Sequence, residues 1–170
     1  DMSLASDLST LLAQDRVSTK PADLELASHD ESSCPAALPE VVVWPCATEE
    51  VSHVVRYAYE HAVPVTARGA GSSLEGNPIP VRGGIVLDLS RMNRVVTVHV
   101  EDLQVTVQPG IVYNVLNEQL KPAGLFQLAL LLAHQLQQLV HLGLDLRLGR
   151  ALAGRYTVAR ILERDDFTKR

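Results

Sequence analysis

The chain has 170 residues, is 46% hydrophobic and 21% charged, and carries a formal net charge of −5. That is enough apolar material to bury the core of one domain, and the acidic balance argues against a nucleic-acid partner. Its two cysteines, Cys34 and Cys46, stand in a chain without a secretory signal and form neither a zinc pattern nor a disulfide framework, so both are expected to be reduced.

In chain order, Leu4, Leu8, Leu11 and Leu12 recur at helical spacing. The polar, Pro- and Ser-bearing stretch that follows, up to Pro39, reads as loop, and Val41 to Trp44 as a short strand. Thr48 is placed to cap the next helix. Glu49 and Glu50 stand in its first turn, where the helix dipole favours negative charge, and Val51, Val54, Val55, Ala58 and Ala62 form one apolar face.

That helix leads to the apolar run Pro64-Val65-Thr66-Ala67, and directly after it comes Arg68-Gly69-Ala70-Gly71-Ser72-Ser73-Leu74-Glu75-Gly76-Asn77. A glycine and serine loop of this kind can cradle an anion. Glycine tolerates positive φ and has no Cβ, so successive N–H groups can converge on a phosphate while hydroxyls and a cation add donors. The loop has neither the Lys-Ser/Thr ending of a P-loop nor the three spaced glycines of a Rossmann turn, which makes ATP and NAD poor candidates. A plain turn between two strands is the competing reading of the loop taken alone.

Three β-rich runs follow, Ile85 to Leu89, Val95 to Val100 and Gln104 to Gln108, and suggest one small sheet. Pro109 and Gly110 then lead into an amphipathic helix carrying Val112, Val115, Leu116 and Leu120, which ends near Pro122 and Gly124.

Several of these segments occur together in one known family. Pro39-Glu40-Val41-Val42-Val43-Trp44-Pro45, Thr48-Glu49-Glu50-Val51, the glycine loop, Gly83-Gly84-Ile85-Val86-Leu87-Asp88-Leu89 and Val105-Thr106-Val107-Gln108-Pro109-Gly110 resemble, in this order, the FAD-binding domain of the vanillyl-alcohol oxidase type. Within it the chain is most similar to the D-lactate dehydrogenase and glycolate oxidase branch, including Ser28-His29-Asp30-Glu31-Ser32. The resemblance covers roughly residues 25 to 126. It implies an α+β fold, the first half of such a domain, and FAD as cofactor. Gly69, Ala70, Gly71, Ser72 and Ser73 would donate to the FAD pyrophosphate, with Arg68 at the loop entrance and Gly76 and Asn77 on its far side. Pro45 would border the dinucleotide, and Pro109 and Gly110 would run beside its adenosine end. Relatives that bind flavin covalently often carry His where Ser72 stands, which implies non-covalent FAD here.

Beyond Phe126 the composition changes to Leu, Gln, His, Arg and Ala, with no proline up to residue 162 and Asp145 as the only acidic residue in that window. Such enrichment is what a GC-rich coding region gives in the wrong frame, so a frameshift or faulty gene model is the leading expectation for residues 127–170. The alternative is a genuine helical tail, in which Leu128, Leu132, Leu136 and Leu139 make a face able to pair two chains. The longest apolar run, Leu128 to Ala133, is far short of the roughly 20 residues of a membrane span. His134 and His141 lack companions at ligand spacing, so no metal site is expected.

The expected organisation is therefore residues 1–38 as helix and loop, 39–126 as a partial FAD-binding domain, and 127–170 as the atypical tail. The expected function is the N-terminal FAD-binding portion of a flavin-dependent D-2-hydroxy-acid dehydrogenase, acting on D-lactate or glycolate in the intact parent and inactive alone. The second hypothesis is a non-catalytic nucleotide- or partner-binding module that self-associates through the tail. No catalytic residue is named: His29, His53, His61 and His99 read as surface or turn residues. The chain begins at Asp1, which suggests a processed or excerpted product. Its localisation, cytoplasmic or mitochondrial, follows only by analogy with the relatives.

Overall fold

The structure is a computed structural model that describes residues 3–127, 145–148 and 156–162. The chain divides into two compact units, Asp1–Asn93 and Arg94–Arg170.

The first unit is built on a four-stranded sheet. Its strands are β1 (Val17–Ser18), β2 (Val41–Val43), β3 (Val65–Arg68) and β4 (Ile85–Asp88), in the order β1-β2-β4-β3. β4 lies parallel to both neighbours, with Leu87 level with Val43 on one side and with Ala67 on the other, while β1 runs antiparallel to β2. Side chains alternate between the faces of a strand. Val41, Val43, Ile85 and Leu87 accordingly meet Leu8 and Leu12, from the segment of α1 (Leu4–Leu11), and Val54 and Ala58 of α3 (Thr48–Glu60). Val42 and Val86 point the other way and meet Ala27 of α2 (Pro21–Ala27). Burial on both faces explains why β2 and the start of β4 read as unbroken apolar runs rather than as alternating ones.

Two local expectations are corrected here. The stretch before Pro39 is not all loop: it contains β1 and α2, the helix opening with Pro21 in its first turn, where a missing N–H costs nothing. Thr48 does not cap α3. Ala47 occupies the cap position without a side-chain bond, and Glu50 reaches back instead, its Oε2 accepting the Cys46 N–H at 2.7 Å while Oε1 pairs with Arg16. The buried stripe of α3 is also narrower than its apolar pattern, because Val55 is 46% exposed.

In the second unit β5 (Val95–His99) and β6 (Gln104–Val107) form an antiparallel hairpin. β6 also pairs with β9 (Tyr156–Leu162), which in turn pairs with β7 (Leu125–Gln127) and β8 (Asp145–Leu148). The three β-rich runs therefore belong to two sheets, with β4 in the first unit and β5 and β6 in the second. Helix α4 (Tyr113–Leu120) buries Leu116 and Leu120 against Val105, Ile111 and Leu125 and gives way to a turn over Lys121–Ala123.

The described residues of the tail are the strands Asp145–Leu148 and Tyr156–Leu162. The leucine stripe from Leu128 to Leu139, with His134 and His141, lies outside the described residues.

Candidate functional site

The glycine loop leaves the carboxyl end of β3, and β2 ends on the same edge of the parallel sheet, two residues before Pro45. Both flank β4, so these two chain exits lie about 10 Å apart, two strand spacings. In open parallel sheets ligands bind at this carboxyl edge, where loops from adjacent strands meet outside the packed layers. Pro45 is fully buried, which fixes the chain as it leaves β2.

The loop is tied to residues 28–34 through several contacts. Arg68 Nη1 donates to the His29 carbonyl at 2.7 Å, and the Glu31 N–H donates to the Ser73 carbonyl at 3.1 Å. Asp30 Oδ2 accepts the Gly76 N–H at 2.9 Å, while Oδ1 takes the Ser32 N–H at 2.9 Å and the Ser32 hydroxyl at 2.5 Å. Burial opposes the charged form of Asp30, but the donors of Ser32, Gly76 and Ser73 together outweigh it and hold its pKa below the usual carboxylate value.

Two glycines are required by this packing. Gly71 sits at φ +70° with the Arg68 guanidinium directly beneath it, so an added Cβ would stand 2.1 Å from Nη2. Gly76 sits at φ +73° against Cys34, whose Sγ would be 2.9 Å from a Cβ. Both therefore combine a backbone conformation that L side chains rarely adopt with a space already filled.

Two features of the loop suit an anion. The N–H groups of Gly69, Ala70, Gly71 and Ser72 have no protein acceptor among the described residues, and Ser72 is exposed. Below them Arg68 is only 8% exposed and forms no ion pair among the described residues, although a buried cation without a counter-charge is costly. Free amides above a buried guanidinium fit a diphosphate. The Gly76 N–H is already taken by Asp30, so that glycine shapes the loop rather than adding a donor. Asn77 is exposed on the far side.

Pro109 and Gly110 lie in the second unit, in the turn between β6 and α4, with Ile111 and Val112 intervening before the helix begins. His29, His53, His61 and His99 are all exposed, and both cysteines are free thiols. No group of three metal-ligating side chains occurs among the described residues, and no described helix is long and apolar enough to cross a membrane. A separate groove of about 650 Å³, lined in part by Lys20, Trp44 and Arg91, involves none of the glycine-loop residues.

The residue that sequence reasoning passed over is Asp30. It was visible only as part of the Ser28 to Ser32 resemblance; its 46-residue separation from Gly76 gives no local signal.

Comparison with known proteins identifies the domain. Residues 39–137 match the FAD binding domain family, and the chain belongs to that family. The match runs past Phe126, where the sequence resemblance had been expected to end. Over 125 residues the chain is 38% identical to the mitochondrial D-lactate dehydrogenase [cytochrome] of Arabidopsis thaliana, covering 72% of this chain and 22% of that protein. It is 34% identical over 99 residues to glycolate oxidase subunit GlcD of Bacillus subtilis, covering 58% of this chain and 21% of that one. The structure of p-cresol methylhydroxylase with substrate bound shares the fold, with a TM-score of 0.65 at 23% identity over 73% of this chain and 25% of that chain. The fold is therefore of the vanillyl-alcohol oxidase type. The chain spans less than a quarter of the length of these two curated relatives.

Proposed function

We propose that this chain is the pyrophosphate-binding portion of a flavin-dependent D-2-hydroxy-acid dehydrogenase acting on D-lactate or glycolate. The observation that carries the reading is the set of N–H groups from Gly69 to Ser72 that lack a protein acceptor among the described residues, beside the buried Arg68, which has no ion-pair partner among them. The similarity to D-lactate dehydrogenases and a glycolate oxidase subunit supports the substrate class.

FAD, when bound, supplies the hydride acceptor for oxidation of the hydroxy acid to the 2-keto acid. The chain's own part is to bind and orient. Gly69 to Ser72 donate N–H groups to the diphosphate, and the Ser72 hydroxyl adds a further donor. Arg68 offsets the phosphate charge from below, Pro45 fixes the chain where it borders the dinucleotide, and Pro109 and Gly110 run beside the adenosine end. Gly76 and Asn77 close the far side. Ser72 offers no nucleophilic ring nitrogen, so the flavin is held without a covalent bond. By analogy with its relatives the protein works in the cytoplasm or in mitochondria.

Titrating FAD against the chain and following flavin fluorescence tests this directly. Saturable binding is expected, competed by ADP and not by AMP. Acid precipitation is expected to leave all flavin in the supernatant, and flavin in the pellet would overturn the non-covalent assignment. With D-lactate and an artificial electron acceptor, no turnover is expected from this chain alone. Flavin-dependent oxidation would show that its residues include the catalytic groups.

A further inference from the structure

We infer that Asp30 is a positioning residue: from a segment far away in sequence, its carboxylate holds the glycine loop in its anion-binding shape before any cofactor arrives. The effect on FAD affinity rests on the function proposed above; the effect on the loop does not.

The chain forms no helix or strand between Arg68 and Ile85, and the glycine loop, residues 69–77, contains two glycines at positive φ, which in an unrestrained chain sample many conformations. A cradle of four N–H groups binds an anion well only if those groups are already aimed, because ordering them on binding subtracts from affinity. Something outside the loop has to fix it.

Residues 28–32 do so at three points along the loop: the Arg68 side chain at its start, the Ser73 carbonyl in its middle and the Gly76 N–H at its end. Two of these bonds use backbone groups of His29 and Glu31, which any residue would provide. Only the third depends on a side chain of residues 28–32, that of Asp30. Asp30 is 9% exposed and places both carboxylate oxygens in use, Oδ2 on the loop and Oδ1 on Ser32, so that its own segment and the loop share one rigid acceptor. Ser32 in turn accepts the Cys34 N–H at 3.1 Å, and Cys34 is the residue packed against Gly76. The chain of contacts therefore closes: Asp30 to Gly76 directly, and Asp30 to Gly76 again by way of Ser32 and Cys34.

Asparagine has the same shape but one acceptor oxygen, so it cannot take the Gly76 and Ser32 donors together and turns an NH2 group towards one of them. Glu31 contributes only its backbone, and its exposed side chain makes Glu31→Ala a control for disturbance of the segment.

The experiment is amide hydrogen exchange of the cofactor-free 170-residue chain and of its Asp30→Asn, Asp30→Ala and Glu31→Ala variants, with FAD titration of each. Loss of a hydrogen bond to a charged group corresponds to a factor of about ten or more. Exchange of the bonded amides at this junction, the Gly76 N–H and the Glu31 N–H, is expected to rise by at least that factor in both Asp30 variants, and to stay unchanged in Glu31→Ala. Exchange in β2 and β4 is expected to be unaffected, and FAD affinity to fall by a similar factor. Unchanged loop exchange in Asp30→Asn would overturn the inference, and so would a uniform rise across β2, β4 and the loop, which would mark Asp30 as a support of the whole sheet. If the loop loosens as expected but the unsubstituted chain binds no FAD, the positioning role stands and the function proposed above fails. If FAD binds equally well to every variant, that function stands and the positioning role fails.

Discussion

The contact between Gly71 and Arg68 gives a prediction whose size can be worked out. In Gly71→Ala the new Cβ would stand 2.1 Å from Nη2 and 2.5 Å from Cζ of Arg68, at φ +70°. The left-handed backbone costs an alanine about 1–2 kcal/mol. The guanidinium must also move aside, which breaks its bond to the His29 carbonyl, a charged hydrogen bond worth about 1.5–3 kcal/mol. Gly71→Ala should therefore destabilise the first unit by about 2.5–5 kcal/mol, and Arg68→Ala, which loses the same bond, by about 1.5–3 kcal/mol. Because the bond can be lost only once, the double variant should be no worse than Gly71→Ala alone. The coupling energy is then about 1.5–3 kcal/mol. Urea unfolding of the four proteins, followed by the fluorescence of Trp44, measures it. Strict additivity, or a Gly71→Ala cost below about 0.5 kcal/mol, would refute the close approach.

Other predictions follow from the sheet and the helix cap. Ile85→Ala removes a fully buried side chain from the central strand and should cost about 2–5 kcal/mol in the same assay. The Glu50 carboxylate has its pKa lowered by the Cys46 N–H first, and by Arg16 and the Ala47 N–H, against the opposing effect of burial. Its folded pKa lies below the unfolded one, so its contribution is complete above the unfolded value and is lost as pH falls through the folded one. Melting temperature should therefore drop more steeply below about pH 4 in the parent chain than in Glu50→Gln; identical slopes would remove Glu50 from the account. The Tyr57 hydroxyl donates to Asp7 at 2.7 Å, and that bond, then burial and the Asp7 charge, raise its pKa. Its contribution is present below the unfolded value near 10 and lost above it, so Tyr57→Phe should flatten the alkaline limb of the same titration.

Much of the site was legible in the sequence because its signals are local. A glycine-serine loop after an apolar strand records where the backbone must turn, and Gly71 and Gly76 do adopt the positive φ that such a turn uses. The helices at Leu4, Thr48 and Tyr113 were likewise visible as periodic leucine and valine patterns. The misreadings concern partners distant in the chain. Thr48 stands where a capping residue belongs, yet the cap is completed by Glu50, which Arg16 reaches from α1's side of the sequence. The three β-rich runs have the same composition, and nothing local records that β4 joins β2 and β3 while β5 and β6 pair elsewhere.

By itself, then, the sequence determined the class of protein and the position of its glycine loop, because periodicity, turn chemistry and motif order are properties of neighbouring residues. Tertiary structure alone decided how that loop is held. The Arg68 guanidinium packs against Gly71, and Asp30 secures Gly76 across 46 residues of chain. Hydrogen bonds and burial at that range depend on where the fold brings two segments together, and residue order does not record it.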